Sequence, residues 1–262
     1  MTRDERATRR GLFPSTHRQG LLKCRAFAMR INLQLHLFVF LGAFLLFTME
    51  PLVARMVLPI HGGSFHVWTT TLTFFQGVLF LGYVYCHLLA RRLGGWHLLL
   101  VAAPLIWLPI ANNIGLSTSG EGDPAWALLS QLTFHIGLPF GVLATTSVIA
   151  QSWFTRSQTS EGSPYPLYAS SNIGSLLGQL GYIILCEPLF GLKVQRAIWF
   201  AGYAGYVILT WQCWRATHKK ETNPAPSKPL ATNLKGSTVL YWLLLSAMPS
   251  AFMLAVSNVF TL

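Results

Sequence analysis

Charge is what this chain has least of. Of its 262 residues only eight are acidic, and Asp, Glu, Lys and Arg together make up 10%. A soluble domain carries roughly a quarter, so an ordinary water-soluble globular enzyme is excluded. The four cysteines, Cys24, Cys86, Cys186 and Cys213, are scattered without a CxxC spacing, which marks neither a zinc site nor a redox pair. No glycine-rich phosphate loop follows a strand, and no nucleophile–base pair lies in a polar segment. "SGEGDP" joins two apolar runs and is not a cofactor fingerprint. No catalytic, cofactor-binding or metal-ligating residue is therefore assigned.

What the chain does have is apolar residues, 52% of the total, gathered in blocks of about twenty. That is the length that crosses a hydrocarbon core of roughly 30 Å. The expected fold class is all-α: a polytopic helical membrane protein with about seven transmembrane helices and the lipid bilayer as its surroundings. The spans run near Leu33–Leu58, Val67–Leu89, Trp96–Ile110, Trp126–Phe154, Leu167–Phe190, Ala197–Trp214 and Val239–Leu262. Pro104 and Pro109 are expected to break the third in part. The net charge of +11 follows the membrane and not a nucleic acid. Eight of the nineteen basic residues precede the first span, and five more lie between Arg215 and Lys235. With "ARRLGG" after the second span they fall on one side, which sets the N-terminus in the cytoplasm. Lys193 and Arg196, placed outside by this topology, are the exception.

Four regions follow. Residues 1–30 are expected to be a basic, disordered cytoplasmic tail, with translation starting at Met1 or at Met29. "TRRGLF" resembles a twin-arginine signal, but the apolar run begins too late and is too long for one. Residues 31–214 form a six-helix transmembrane domain, 215–237 a basic cytoplasmic loop, and 238–262 the start of a seventh, truncated span. A last span without a closing loop reads as the front part of a longer protein.

Polar residues inside the spans are the candidate sites. Glu50 lies about fifteen residues, or roughly 22 Å, into the first span. Pro51 beside it leaves the Phe47 carbonyl without its helical donor. A carboxylate next to a freed carbonyl is a candidate cation or proton site. Its alternative is a structural hydrogen bond to another helix. Arg55, about 140° around the helix, is badly placed to pair with it. "CEPLFGLK" repeats the Glu–Pro–Leu device, which adds Glu187 at an expected similar depth. His135, in "LTFHIGLPFG", is a third candidate because an imidazole within a span can carry a proton. A hydrogen-bonded structural role competes with that reading. In the fifth span Gly174, Gly178 and Gly181 line one face, and Asn172, Ser175 and Gln179 adjoin it. Small residues let helix backbones approach, so this is a candidate packing face.

Several of these stretches occur in a familiar order: Glu50–Pro51, "VARMVLPIHGGSFHVWTTTLTFFQGVLFLGYVYCHLL", "GLPFGVLATTSVIAQSWF", "PYPLYASSNIGSLLGQLGY" and "EPLFGL". From about Met29 to Leu262 the chain resembles bacterial fused major-facilitator/spermidine-synthase proteins. The resemblance implies a facilitator-like helix bundle in a bacterial inner (cytoplasmic) membrane, followed by an aminopropyltransferase-like domain. The synthase's cofactor loop and aspartate have no counterpart here. "GYVYCHLLARRLGG" departs from the facilitator loop, with His87 where an acidic residue is expected. Two functions are implied: a transporter-like domain moving polyamines or other cations, or an anchor that holds a fused or associated synthase-like domain and transports nothing.

Overall fold

A computed structural model describes residues 15–88, 95–114, 123–157, 165–218 and 236–261. Among them every regular element is helical, and there is no strand. Helix α1 (Ser15–His61) is followed by α2 (Phe65–Leu88) and α3 (Trp96–Ile114). A bent rod then comprises α4 (Pro124–Leu132), a π turn (Thr133–Gly137), α5 (Leu138–Ala144) and α6 (Thr146–Ser157). A second rod comprises α7 (Tyr165–Gly181), a π turn (Tyr182–Cys186) and α8 (Glu187–Leu189). Helix α9 (Leu192–His218) completes the first compact unit, which ends at Glu221. The second unit, Thr222–Leu262, contains α10 (Gly236–Thr261), which covers the expected seventh segment.

Three described stretches are long and apolar enough to cross a membrane: Met29–His61, Phe65–Leu88 and Pro124–Thr155. Trp96–Pro109 is apolar but shorter. The fifth and sixth expected spans are helical, yet polar residues dilute their apolar character. In α7 these are Ser170, Ser171, Asn172, Ser175 and Gln179; in α9 they are Lys193, Gln195, Arg196, Gln212 and Arg215.

Three local expectations change. Helix α1 begins at Ser15, so residues 15–30 are helical and not an unstructured tail. No proline interrupts the chain between Pro14 and Pro51, and Gly20 alone costs a helix only about 1 kcal/mol. The rest of that tail, residues 1–14, lies outside the described residues, as do Arg91, Arg92, Glu121 and residues 219–235. Helix α3 runs unbroken through Pro104 and Pro109. Proline acts instead in the two rods. Each π turn ends two residues before a proline, Gly137 before Pro139 and Cys186 before Pro188. The ring crowds the carbonyl four residues back, that of His135 or Ile184, which is the middle residue of its π turn. Widening the turn relieves the crowding.

Caps close several ends. Asp123 Oδ1 accepts from the Ala125 amide at 2.9 Å, with Pro124 at the first helical position of α4. Helix α1 ends at Gly62, whose φ of 77° is disfavoured for residues with a side chain.

Helix α1 is the centre of the first unit. It packs along α7, α9 and the α5–α6 part of the first rod, while α4 and α5 pack against α2, and the π turn and α5 against α3. Aromatic rings fill the middle. Phe38 stacks on Trp153 and on Tyr206 at centroid distances of 5.5 and 5.2 Å, and Tyr203 lies beside Tyr206. Their polar tips bind across helices. Tyr206 Oη pairs with Thr146 Oγ1 at 2.8 Å, Tyr203 Oη donates to the Val101 carbonyl at 2.9 Å, and Trp199 Nε1 donates to the Leu45 carbonyl at 3.0 Å. Trp107 Nε1 donates to the Phe134 carbonyl at 2.7 Å. In π register that carbonyl would look to residue 139, a proline with no N–H. The indole supplies the missing donor.

Candidate functional site

The contacts between α1 and α7 set the positions of the expected site residues. His36 Nδ1 meets Ser170 Oγ at 2.8 Å. Gly174 is pressed against the Phe40 carbonyl, and a Cβ placed on Gly178 would stand 2.7 Å from the Phe44 carbonyl oxygen. All three pairs share one offset of 134 residues, so the two helices run parallel and in register. Gly174 and Gly178 are buried in this contact, whereas a Cβ placed on Gly181 would meet no atom within 4 Å. Asn172 and Gln179 are exposed on the far side of the glycines, and Ser175 donates to the Asn172 carbonyl within its own helix.

The register separates the two glutamates. An offset of 134 places Ile184 beside Glu50, so Glu187 stands three residues, or about 4.5 Å, farther along. Glu50 is half-buried and, among the described residues, makes no hydrogen bond or ion pair; Glu187 is exposed. Arg55 spans the gap. Its guanidinium donates to the carbonyls of Glu187 at 3.2 Å and Phe190 at 3.4 Å. A cation on the last carbonyls of α8 satisfies acceptors that have no helical donor.

Gln195, a residue that stands out little in the sequence, completes this end. It is buried, accepts from Tyr182 Oη at 2.8 Å, and donates to the Cys186 and Phe190 carbonyls at 2.9 and 2.8 Å. Three polar groups around the π turn and the chain reversal are thus tied to one amide, with the Cys186 carbonyl also accepting the Phe190 amide at 3.1 Å. A lone glutamine within "LKVQRAIWF" was the only signal in the sequence.

His135 occupies a different place. It is buried in the first π turn, and its Nδ1 bonds the Gln131 carbonyl at 3.0 Å. Nδ1 carries the proton in that bond, and in the neutral ring Nε2 is then an acceptor. Nε2 is buried and has no partner. The ring lines a cavity of about 50 Å³ together with Met49, Val53, Arg196 and Trp199. That volume holds a water or two. Neither Glu50 nor Glu187 borders it.

The structure therefore does not assemble Glu50, Glu187 and His135 into one site. The cavity beside His135 carries the cationic Arg196 and no carboxylate, so it repels a polyamine. Arg196, one of the two basic residues that the expected topology places outside, lies within the first two turns of α9. Among the described residues no group of three or more His, Cys, Asp or Glu side chains is placed to hold a metal ion. Comparison with protein-family models, with curated proteins and with solved structures finds no match.

Proposed function

We propose that this chain is the transporter-like membrane domain of a fused facilitator/synthase-like protein, with α1–α9 forming one six-span half and α10 beginning the next. The supporting observation is how the spans choose partners. Number them one to six, with the two rods as four and five. The first packs on five and six, and the fourth packs on two and three. One and four touch each other, as do three and six. Exchanging the first three spans with the last three maps these four kinds of contact onto one another; the smaller contacts of the fourth span with the fifth and sixth lie outside the exchange. An odd number of spans in each half inverts the second relative to the first. Nested inverted three-helix repeats are the architecture of facilitator halves.

Substrate movement rests on Glu50. A half-buried, unpartnered carboxylate at a proline within an apolar helix is costly unless a cation visits it. Substitution Glu50→Gln keeps the shape and removes the charge. In vesicles reconstituted with the full-length protein it abolishes uptake of labelled spermidine and leaves the unfolding midpoint near its original value. A second reading, a membrane anchor for a synthase-like domain, is favoured by the exposure of Glu187 and by the backbone contact that locks α7 onto α1. An inserted, folded protein that takes up no spermidine or other organic cation selects the anchor.

A further inference from the structure

At the end of the bundle opposite Glu50, a groove of about 300 Å³ opens between α1 and α9. Arg30, Gln34, Trp211, Gln212 and Arg215 line it. Its size suits a small ligand group, not a single water. Two guanidinium groups and two side-chain amides supply hydrogen-bond donors, and among the described residues of these two helices no carboxylate is near. The only carboxylate of α1 is Glu50, twenty residues or about 30 Å away, and α9 has none. Arg215 is held over the Trp211 ring at 4.5 Å, which fixes its guanidinium before any ligand arrives. The height is also informative. Arg30 follows Met29, where the apolar stretch Met29–His61 begins, and a tryptophan beside arginines is typical of the headgroup layer.

We propose that this groove binds the phosphate of an anionic phospholipid headgroup. The arginines take the phosphate oxygens in the forked geometry that guanidinium favours. The two glutamines face the polar remainder of the headgroup. Basic pockets between spans on the basic side of a membrane protein recognise lipid phosphates in this way. The inference rests on the membrane reading above, and the experiment separates the two.

The full-length protein is first tested for resistance to alkaline extraction from membranes; release into solution refutes the membrane reading itself. Protein that stays inserted is purified, and its thermal unfolding is followed as phosphatidylglycerol, phosphatidylcholine or inorganic phosphate is added. The expected result is a rise in midpoint with phosphatidylglycerol that neither other addition reproduces. At about fivefold in affinity per basic side chain at a membrane surface, the double variant R30Q/R215Q weakens the phosphatidylglycerol effect about thirtyfold. R30K/R215K retains part of it, and W211L, which frees Arg215, falls between. Equal shifts with phosphatidylcholine, or an undiminished shift in a folded R30Q/R215Q protein, overturn the proposal. A full shift with inorganic phosphate overturns the lipid as its source. If R30Q/R215Q does not fold, W211L decides in its place: a weakened shift supports the proposal and an undiminished one overturns it.

Discussion

Replacing Gly178 by alanine tests the contact on which the α1–α7 register depends. The added methyl carbon would lie 2.7 Å from the Phe44 carbonyl oxygen and 3.2 Å from the Phe44 Cα, both backbone atoms of a central helix. Ordinary contact begins near 3.4 Å, so the two helices must part by about 0.7 Å. Overpacking of this kind costs about 1–3 kcal/mol. Alanine returns about 1 kcal/mol through its better helix propensity. The net expectation for G178A is a loss of about 0–2 kcal/mol, and G174A, where the approach is closer still, falls at or beyond the upper end. Gly181 is an internal control: with no atom within 4 Å, G181A keeps only the propensity gain of up to about 1 kcal/mol. Unfolding midpoints of the three variants in one detergent should rank G181A above the unaltered protein and G174A below it. If G174A and G181A unfold at the same midpoint, the register is wrong, and the separation of Glu50 from Glu187 falls with it.

Gln195→Leu leaves the Cys186 and Phe190 carbonyls and the Tyr182 hydroxyl without their shared partner, and should lower stability by about 1–3 kcal/mol; an unchanged midpoint would show that water replaces the amide. Orientation is checked by fusion of alkaline phosphatase, active after Ile114 and silent after Lys219 if the basic side is cytoplasmic. The opposite pattern reverses the topology while keeping α1 and α7 parallel.

Helices and their approximate limits were legible because apolar blocks and their breakers are local features. So was the face of Gly174 and Gly178, since small residues four apart mark a close crossing. Gly181 falls three residues later, where the approach of Pro188 winds the chain into a π turn, and the glycine leaves the contact. The depth of Glu187 relative to Glu50 was legible only to within about a turn. A repeated Glu–Pro–Leu speaks only of local sequence, and depth is set by which residues of two distant helices meet. Helix register follows the glycine contacts at an offset of 134, while the motif repeats at 137. Arg55 was half legible: its angle around α1 excludes Glu50, but no local pattern says that the carbonyls ending α8 wait beside it. His135 was read as a candidate proton carrier against a hydrogen-bonded structural role, and only the structure shows it lining a cavity with Arg196 that neither glutamate borders.

The same kind of crossing recurs in the other half of the bundle, and this ties the packing to the exchange of spans. On α7, Gly174 and Gly178 lie four residues apart against α1. On α2, Gly82 and Cys86, also four apart, lie against the rod of the fourth span. A Cβ on Gly82 would stand 2.9 Å from the Ala144 Cβ, and Cys86 Sγ approaches the Thr145 carbonyl at 3.9 Å. Between the two halves, Gly42 of α1 meets Thr146 of α6, where a Cβ would come within 2.5 Å of the threonine methyl. Exchanging the halves carries the fifth span's contact on the first into the second span's contact on the fourth, and returns the Gly42–Thr146 crossing to itself. Close approach is therefore built at each crossing by small residues with no shared motif around them. At each crossing the approach is set by side-chain volume and not by a repeated sequence.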